Sequence, residues 1–144
     1  MGSANWPSGW FERVAGESSG GVRTAYADLV AYTTLDGSEI RELMHPAVHG
    51  NHGQSLAEAI VPAGQATHLH RHHVSEEIYH VTQGRGTMRL GEAEFALGPG
   101  DTVCIPPGVA HALRAAPDGA LHVLCCCAPA YRHADTELLA DAGV

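Results

Sequence analysis

Residues 64–84 read GQATHLHRHHVSEEIYHVTQG, a stretch that opens and closes on glycine and holds three potential metal ligands, His70, His72 and Glu77. His70 and His72 are two apart, so on a strand both side chains leave one face and can reach one ion. Glu77 has the opposite parity from His72, and a straight strand would carry it roughly 16 Å further along at about 3.3 Å per residue. The chain therefore turns at His73, Val74 and Ser75, and Glu77 begins the next strand. Glu77 is preferred to Glu76 because Tyr79 and Val81 then share its inward face. Further along, His111 stands 34 positions beyond Glu77 and follows Pro106-Pro107-Gly108, a rigid turn able to deliver it to the same interior. Three imidazoles and one carboxylate suit a borderline divalent ion.

On either side of this stretch, short segments alternate with turn signals. Strands are expected over 28–34, 38–44, 55–61, 67–72, 77–83, 86–90, 94–97, 102–105, 110–115 and 120–127. Between them lie Asp36-Gly37, Pro62-Ala63-Gly64, Gly84-Arg85-Gly86, Gly98-Pro99-Gly100 and Pro117-Asp118-Gly119, the residues that tight turns require. The chain reads as all-β. About ten short strands at this spacing favour a closed antiparallel barrel or jelly roll, because closure removes exposed edges. Residues 1–24, rich in Gly and Ser, read as a flexible arm, with Trp6, Trp10 and Phe11 able to dock on the domain or on a second subunit. Residues 25–134 form the barrel, and 135–144 a tail whose DTELLADAG reads as one helical turn capped by Asp135 or Thr136.

In full, the pattern is Gly64, five residues, His70, one residue, His72, four residues, Glu77, six residues, Gly84, and then Gly100, five residues, Pro106, one residue, Gly108, two residues, His111. This resembles both sequence motifs of the cupin family, and the resemblance covers residues from about 55 to 127. It implies a double-stranded β-helix, or jelly-roll, barrel in which His70, His72, Glu77 and His111 match the four metal ligands. The second motif often ends on Asn where this chain has Ala115, a position that is not a ligand in the family. Four protein ligands leave one or two positions open on a five- or six-coordinate ion, the condition for catalysis. The expected cofactor is one divalent transition metal, Fe, Mn, Zn, Ni or Cu, since all accept nitrogen and oxygen donors.

Strand parity places His68 on the ligand face, as a group beside the ligands or a proton shuttle, against the alternative of a rim histidine bonded to water. Tyr79, sharing parity with Glu77, is expected either to position a substrate oxygen or to serve as wall. His68 and Tyr79 are the candidate catalytic residues. His73, Glu76 and His80 fall in the turn or on the other face. The segment from His45 to His52 reads as a solvated loop, with covering of the pocket mouth as the alternative. On the last strand, Leu121, Val123, Cys125 and Cys127 share one face and His122, Leu124 and Cys126 the other, and either set could meet the pocket. The cysteines, Cys104 and the run Cys125-Cys126-Cys127, lack zinc-framework spacing and read as buried small hydrophobes, with one pocket-facing thiol as the sharper reading.

Composition narrows the function classes. In 144 residues, 44% are hydrophobic and the formal charge is -8, and all eight basic residues are Arg, without a cluster. Nucleic acid is not an expected partner, since phosphate binding needs a cationic surface. The absence of Lys removes Schiff-base chemistry. No apolar run is long enough for a membrane span, and the N-terminus lacks the basic and apolar regions of a signal peptide, so a cytoplasmic protein without membrane association is expected.

The reading that joins these observations is a single-domain metallocupin, an enzyme acting on a small polar metabolite. Cupins of this shape include dioxygenases, decarboxylases, isomerases, lyases and epimerases, so the fold does not select a reaction. The retained Glu77 makes the chain less similar to thiol dioxygenases, which generally use three His. The segments Arg41-Glu42-Leu43, Ser55-Leu56-Ala57-Glu58-Ala59 and Cys125-Cys126-Cys127-Ala128-Pro129-Ala130-Tyr131 are similar to small bacterial cupins, including those attached to synthetases that form nitrogen–nitrogen bonds in natural-product pathways. That resemblance implies an ion, usually zinc, holding an amine near an activated hydroxylamine ester, with the activating enzyme a separate partner. A non-catalytic binding or sensing cupin is the alternative from another class. A homodimer, paired through sheet edges or the strands between Tyr26 and Met44, is expected.

Overall fold

The structure, a computed structural model, describes residues 20–140. The expectations for Trp6, Trp10 and Phe11 lie outside the described residues. Eleven strands form two antiparallel sheets. They are β1 (Tyr32–Thr33), β2 (Glu39–Met44), β3 (Ser55–Val61), β4 (His70–His72), β5 (Glu76–Gln83), β6 (Gly86–Leu90), β7 (Ala93–Leu97), β8 (Thr102–Ile105), β9 (His111–Ala115), β10 (Leu121–Ala128) and β11 (Thr136–Leu138). One sheet has the order β1-β2-β3-β10-β5-β8 and the other β11-β4-β9-β6-β7, the two layers of the expected jelly-roll barrel.

The long strands alternate as the sequence predicts. In β3 and β10 every second side chain is buried, which puts Ser55, Ala57, Ala59 and Val61 of one, and Leu121, Val123, Cys125 and Cys127 of the other, on the inner face. Val61, Val81, Met88, Leu113, Leu121 and Val123 are almost fully enclosed and fill one end of the barrel. Truncating Met88 to Ala there would cost about 2–5 kcal/mol. Further along β3 the inward residues shrink to Ala59, Ala57 and Ser55, and the large side chains no longer meet across the interior. A cavity opens in the space they leave.

The turns behave as their residues require. Gly84 has φ +83°, and a Cβ there would lie 2.1 Å from the Ala120 carbonyl oxygen, so both conformation and close approach exclude a side chain.

Four expectations are corrected. The strand expected over 28–34 shrinks to Tyr32–Thr33, preceded by a 3-10 turn at Tyr26–Asp28. The strand expected over 67–72 begins only at His70, because Thr67 N donates to Leu113 O at 2.9 Å and His68 N to Asp36 O at 2.7 Å, partners outside the β4 ladders. The helical turn expected from Asp135 is a 3-10 turn at His133–Asp135, and Thr136–Leu138 then pairs with β4 as a strand. The His45–His52 segment contains a helical turn, α1 (Pro46–His49). His45 caps it by accepting a bond from Ala47 N at 3.0 Å, Pro46 stands at its start, and His45 and His49 are both buried.

Candidate metal centre

The four residues read from the two motifs converge. His70 and His72 project inward from β4, Glu77 from β5 and His111 from the first position of β9, where it stands directly opposite His70. One nitrogen of each ring and one carboxylate oxygen all lie within 4.8 Å of one another, and the four residues are buried. Glu77 Oε2 is 2.9 Å from His72 Nε2 and 3.2 Å from His111 Nε2.

The reversal that brings Glu77 back is built by the C-terminal segment. Asp135 accepts bonds from Val74 N at 2.9 Å and Ser75 N at 3.0 Å, and His73 N donates to the Asp135 carbonyl at 3.0 Å. Ser75 Oγ donates to Pro129 O at 2.7 Å, and Gly108 N to His72 O at 2.6 Å, which joins the second motif to the first. Burial works to raise the Asp135 carboxyl, but the bonds from Ser75 and Val74 outweigh it and hold it below its ordinary value.

The outer nitrogens of the three rings fix which nitrogen faces the centre. His70 Nδ1 donates to the His68 carbonyl at 2.8 Å and His111 Nδ1 to the Val109 carbonyl at 3.0 Å, since a carbonyl can only accept. His72 Nδ1 donates to Thr136 Oγ1 at 3.1 Å, and that hydroxyl passes its own proton to Arg132 O at 3.1 Å. With Nδ1 engaged as a donor in each ring, the three Nε2 atoms face one point, where they can offer their lone pairs to an ion. His111 Nε2 is fully buried and makes no well-aligned hydrogen bond, although Glu77 Oε2 lies 3.2 Å away. Burial would raise the Glu77 carboxyl, yet the His111 and His72 rings hold it down to about 2. Burial and the neighbouring His111 lower His70, which keeps its ring neutral. Converging lone pairs, an ionised carboxylate and a buried nitrogen without a well-aligned hydrogen bond are the donor set a divalent ion satisfies.

His70, His72 and Glu77 border a cavity open to solvent, whose other walls include Tyr32, Asp36, Glu42, Tyr79, Cys125 and Tyr131. Asp36 Oδ2 lies 3.8 Å from His70 Nε2, while its Oδ1 accepts from Ser38 N and Oγ. Tyr79 is buried, with its ring 5.7 Å from that of His111, on the inward face expected for it. Burial, and then the Glu77 carboxylate, push its phenol well above the ordinary range. The same two causes raise Cys125 and Cys127, so the pocket holds two neutral thiols where the sequence suggested one. His122 and Cys126 lie on the outward face of β10, away from the cavity.

His68 is not where strand parity put it. Leu69 and His70 are buried in succession, which breaks the alternation just before β4, and the His68 ring lies exposed against Gly37. Its backbone carbonyl, by orienting His70, takes part in the site.

The cupin-domain family model matches residues 57–127. The uncharacterized protein MJ1618 of Methanocaldococcus jannaschii is 48% identical over 118 residues, 82% of this chain and 94% of that protein. The chain belongs to the cupin superfamily. Solved cupin structures show the same barrel at low identity. Pac13 from Streptomyces, a nucleoside dehydratase, superposes with a TM-score of 0.66 at 16% identity, over 80% of this chain and 88% of Pac13. The polyketide cyclase RemF from Streptomyces resistomycificus gives 0.65 at 23% identity, over 74% of this chain and 78% of RemF.

 Proteins with this barrel carry unrelated reactions, so the fold does not select one.

Several residues that line the cavity escaped the sequence reading. Thr136, Asp36, Tyr32 and Glu42 reach the site from the tail and the first strands, where no motif marks them. Asp36 carried a signal only as the first half of an Asp-Gly turn. Among the described residues no helix is long and apolar enough to cross a membrane.

Proposed function

We propose that this cupin is a metal-dependent enzyme acting on a small polar metabolite, with His70, His72, Glu77 and His111 as the protein ligands of one divalent transition ion. The observation that carries the reading is the convergence of four buried donor atoms within 4.8 Å at the wall of an open cavity. A bound ion would supply Lewis acidity, activation of water or redox chemistry.

The chain's own groups have separable tasks. The His68 and Val109 carbonyls and the Thr136 hydroxyl hold the three rings in the ligating tautomer. Asp36, whose Oδ2 faces His70 from the opposite wall, is placed to take a proton from a molecule in the cavity. Tyr79, kept as a neutral phenol, can donate a hydrogen bond but not act as a base. Small walls at Ser55, Ala57 and Ala59 leave room for the metabolite.

The test is to load the purified protein with Fe, Mn, Zn, Ni or Cu in turn and screen small polar metabolites for turnover, with oxygen uptake followed in parallel. Turnover that depends on one of the metals and disappears in His72→Ala supports the reading. Turnover unchanged in His72→Ala and after chelation would contradict it.

A further inference from the structure

The geometry points to a substrate that carries a protonated amine, held by Glu42 on the wall built by β2. This names the substrate class of the enzyme proposed above and rests on that reading.

Charge is the first ground. The cavity walls include three carboxylates, Asp36, Glu42 and Glu77, and no arginine among the described residues. The chain has no lysine. Arg41 is turned outward to Glu58 and the Leu29 carbonyl, and Arg71 to Glu137. A divalent ion offsets two of the three carboxylates when the imidazoles are neutral, which leaves one negative charge for the substrate to match. A carboxylate or phosphate on the substrate would meet like charge with no guanidinium to receive it.

Glu42 is the second ground. It is 7% exposed, and its Oε1 accepts the Tyr32 hydroxyl at 2.9 Å while Oε2 has no hydrogen-bond partner. His111 Nε2, at the candidate metal centre, likewise makes no well-aligned hydrogen bond. Burial lifts the Glu42 carboxyl above its ordinary range, and His45 and the Tyr32 bond offset this only in part. An ammonium brings three donors and a compensating charge, the partner that a buried carboxylate lacks.

Register gives the ligand its length. Glu42 stands opposite Ala57, Ala57 opposite Cys125, and Cys125 opposite Tyr79, so Glu42 and the Tyr79 strand are three strand spacings apart, about 14 Å along the curved sheet. The intervening side chains are small. A molecule with its reacting end at the ligands therefore needs several carbons before its amine.

Aminohexanol, hexanediol and hydroxyhexanoate, matched in length and differing in charge, test this by calorimetric titration of the zinc-loaded protein and of Glu42→Gln. Aminohexanol is expected to bind at least tenfold more tightly than hexanediol, with hydroxyhexanoate weakest, and Glu42→Gln to remove the preference while zinc content stays the same. Equal or tighter binding of hydroxyhexanoate, no binding of aminohexanol at millimolar concentration, or a preference that survives Glu42→Gln would overturn the inference. Should Glu42→Gln not fold, the order of the three affinities in the wild type decides alone. Zinc content separates the two claims: a protein that binds no zinc defeats the metal reading, and the same titrations on the metal-free chain then still decide the charge preference.

Discussion

Thr136 accepts a hydrogen bond from His72 Nδ1 at 3.1 Å, and so ties the last strand to a ring 64 residues earlier in the chain. The bond fixes the tautomer that turns His72 Nε2 toward Glu77. Thr136→Val keeps the shape and removes the acceptor. Metal affinity is expected to fall by about 10–100-fold, and Thr136→Ser to restore it. Competition with a calibrated chelator measures both; unchanged affinity in Thr136→Val would show that the bond does not orient the ring.

Adjacent carboxylates offer an internal control. Glu77 is buried against two imidazoles and Glu76 is exposed on the other face of β5. Glu77→Gln is expected to weaken metal binding at least tenfold, and Glu76→Gln to leave it unaltered. Equal effects in a metal titration would place the ligand set elsewhere.

Asp135 links stability to pH. Its two accepted bonds satisfy the Val74 and Ser75 N–H groups, and Asp135→Ala is expected to cost about 1–3 kcal/mol in denaturant unfolding near neutrality. Because the folded carboxyl lies below its ordinary value, its contribution is complete above the unfolded value of about 4 and declines as pH falls through the folded one. The gap between wild type and variant is therefore expected to narrow in acid. A gap that widens there would reverse the assignment.

Gly84→Ala would force a Cβ to 2.1 Å from the Ala120 carbonyl oxygen at φ +83°. A loss of more than about 1 kcal/mol is expected from the backbone conformation alone. Thermal unfolding checks it, and an unchanged midpoint would mean that the turn relaxes freely.

The barrel and the cluster of His70, His72, Glu77 and His111 were legible in the sequence because both rest on local periodicity. Alternation in 55–61 and 121–127, turns at Asp-Gly and Pro-Gly pairs, and the two spaced motifs report on neighbouring residues. His68 was misplaced because the chain leaves the ladder before β4, where Thr67 N bonds to Leu113 O and His68 N to Asp36 O, partners distant in sequence. Thr136 and Asp135 were read as a helix start, since Asp and Thr are good caps and nothing local reveals that β4 offers an open edge. Glu42 looked like one more charge on a strand. Its burial depends on Tyr32 and on the small residues of β3, relations that no local pattern carries.

Elemental analysis of the protein purified without added metal tests the central claim most directly. The account predicts close to one divalent transition ion per chain in the wild type and little or none in His72→Ala. A folded wild-type chain that holds no such ion, and takes up none when Zn, Fe, Mn, Ni and Cu are each supplied, would contradict it.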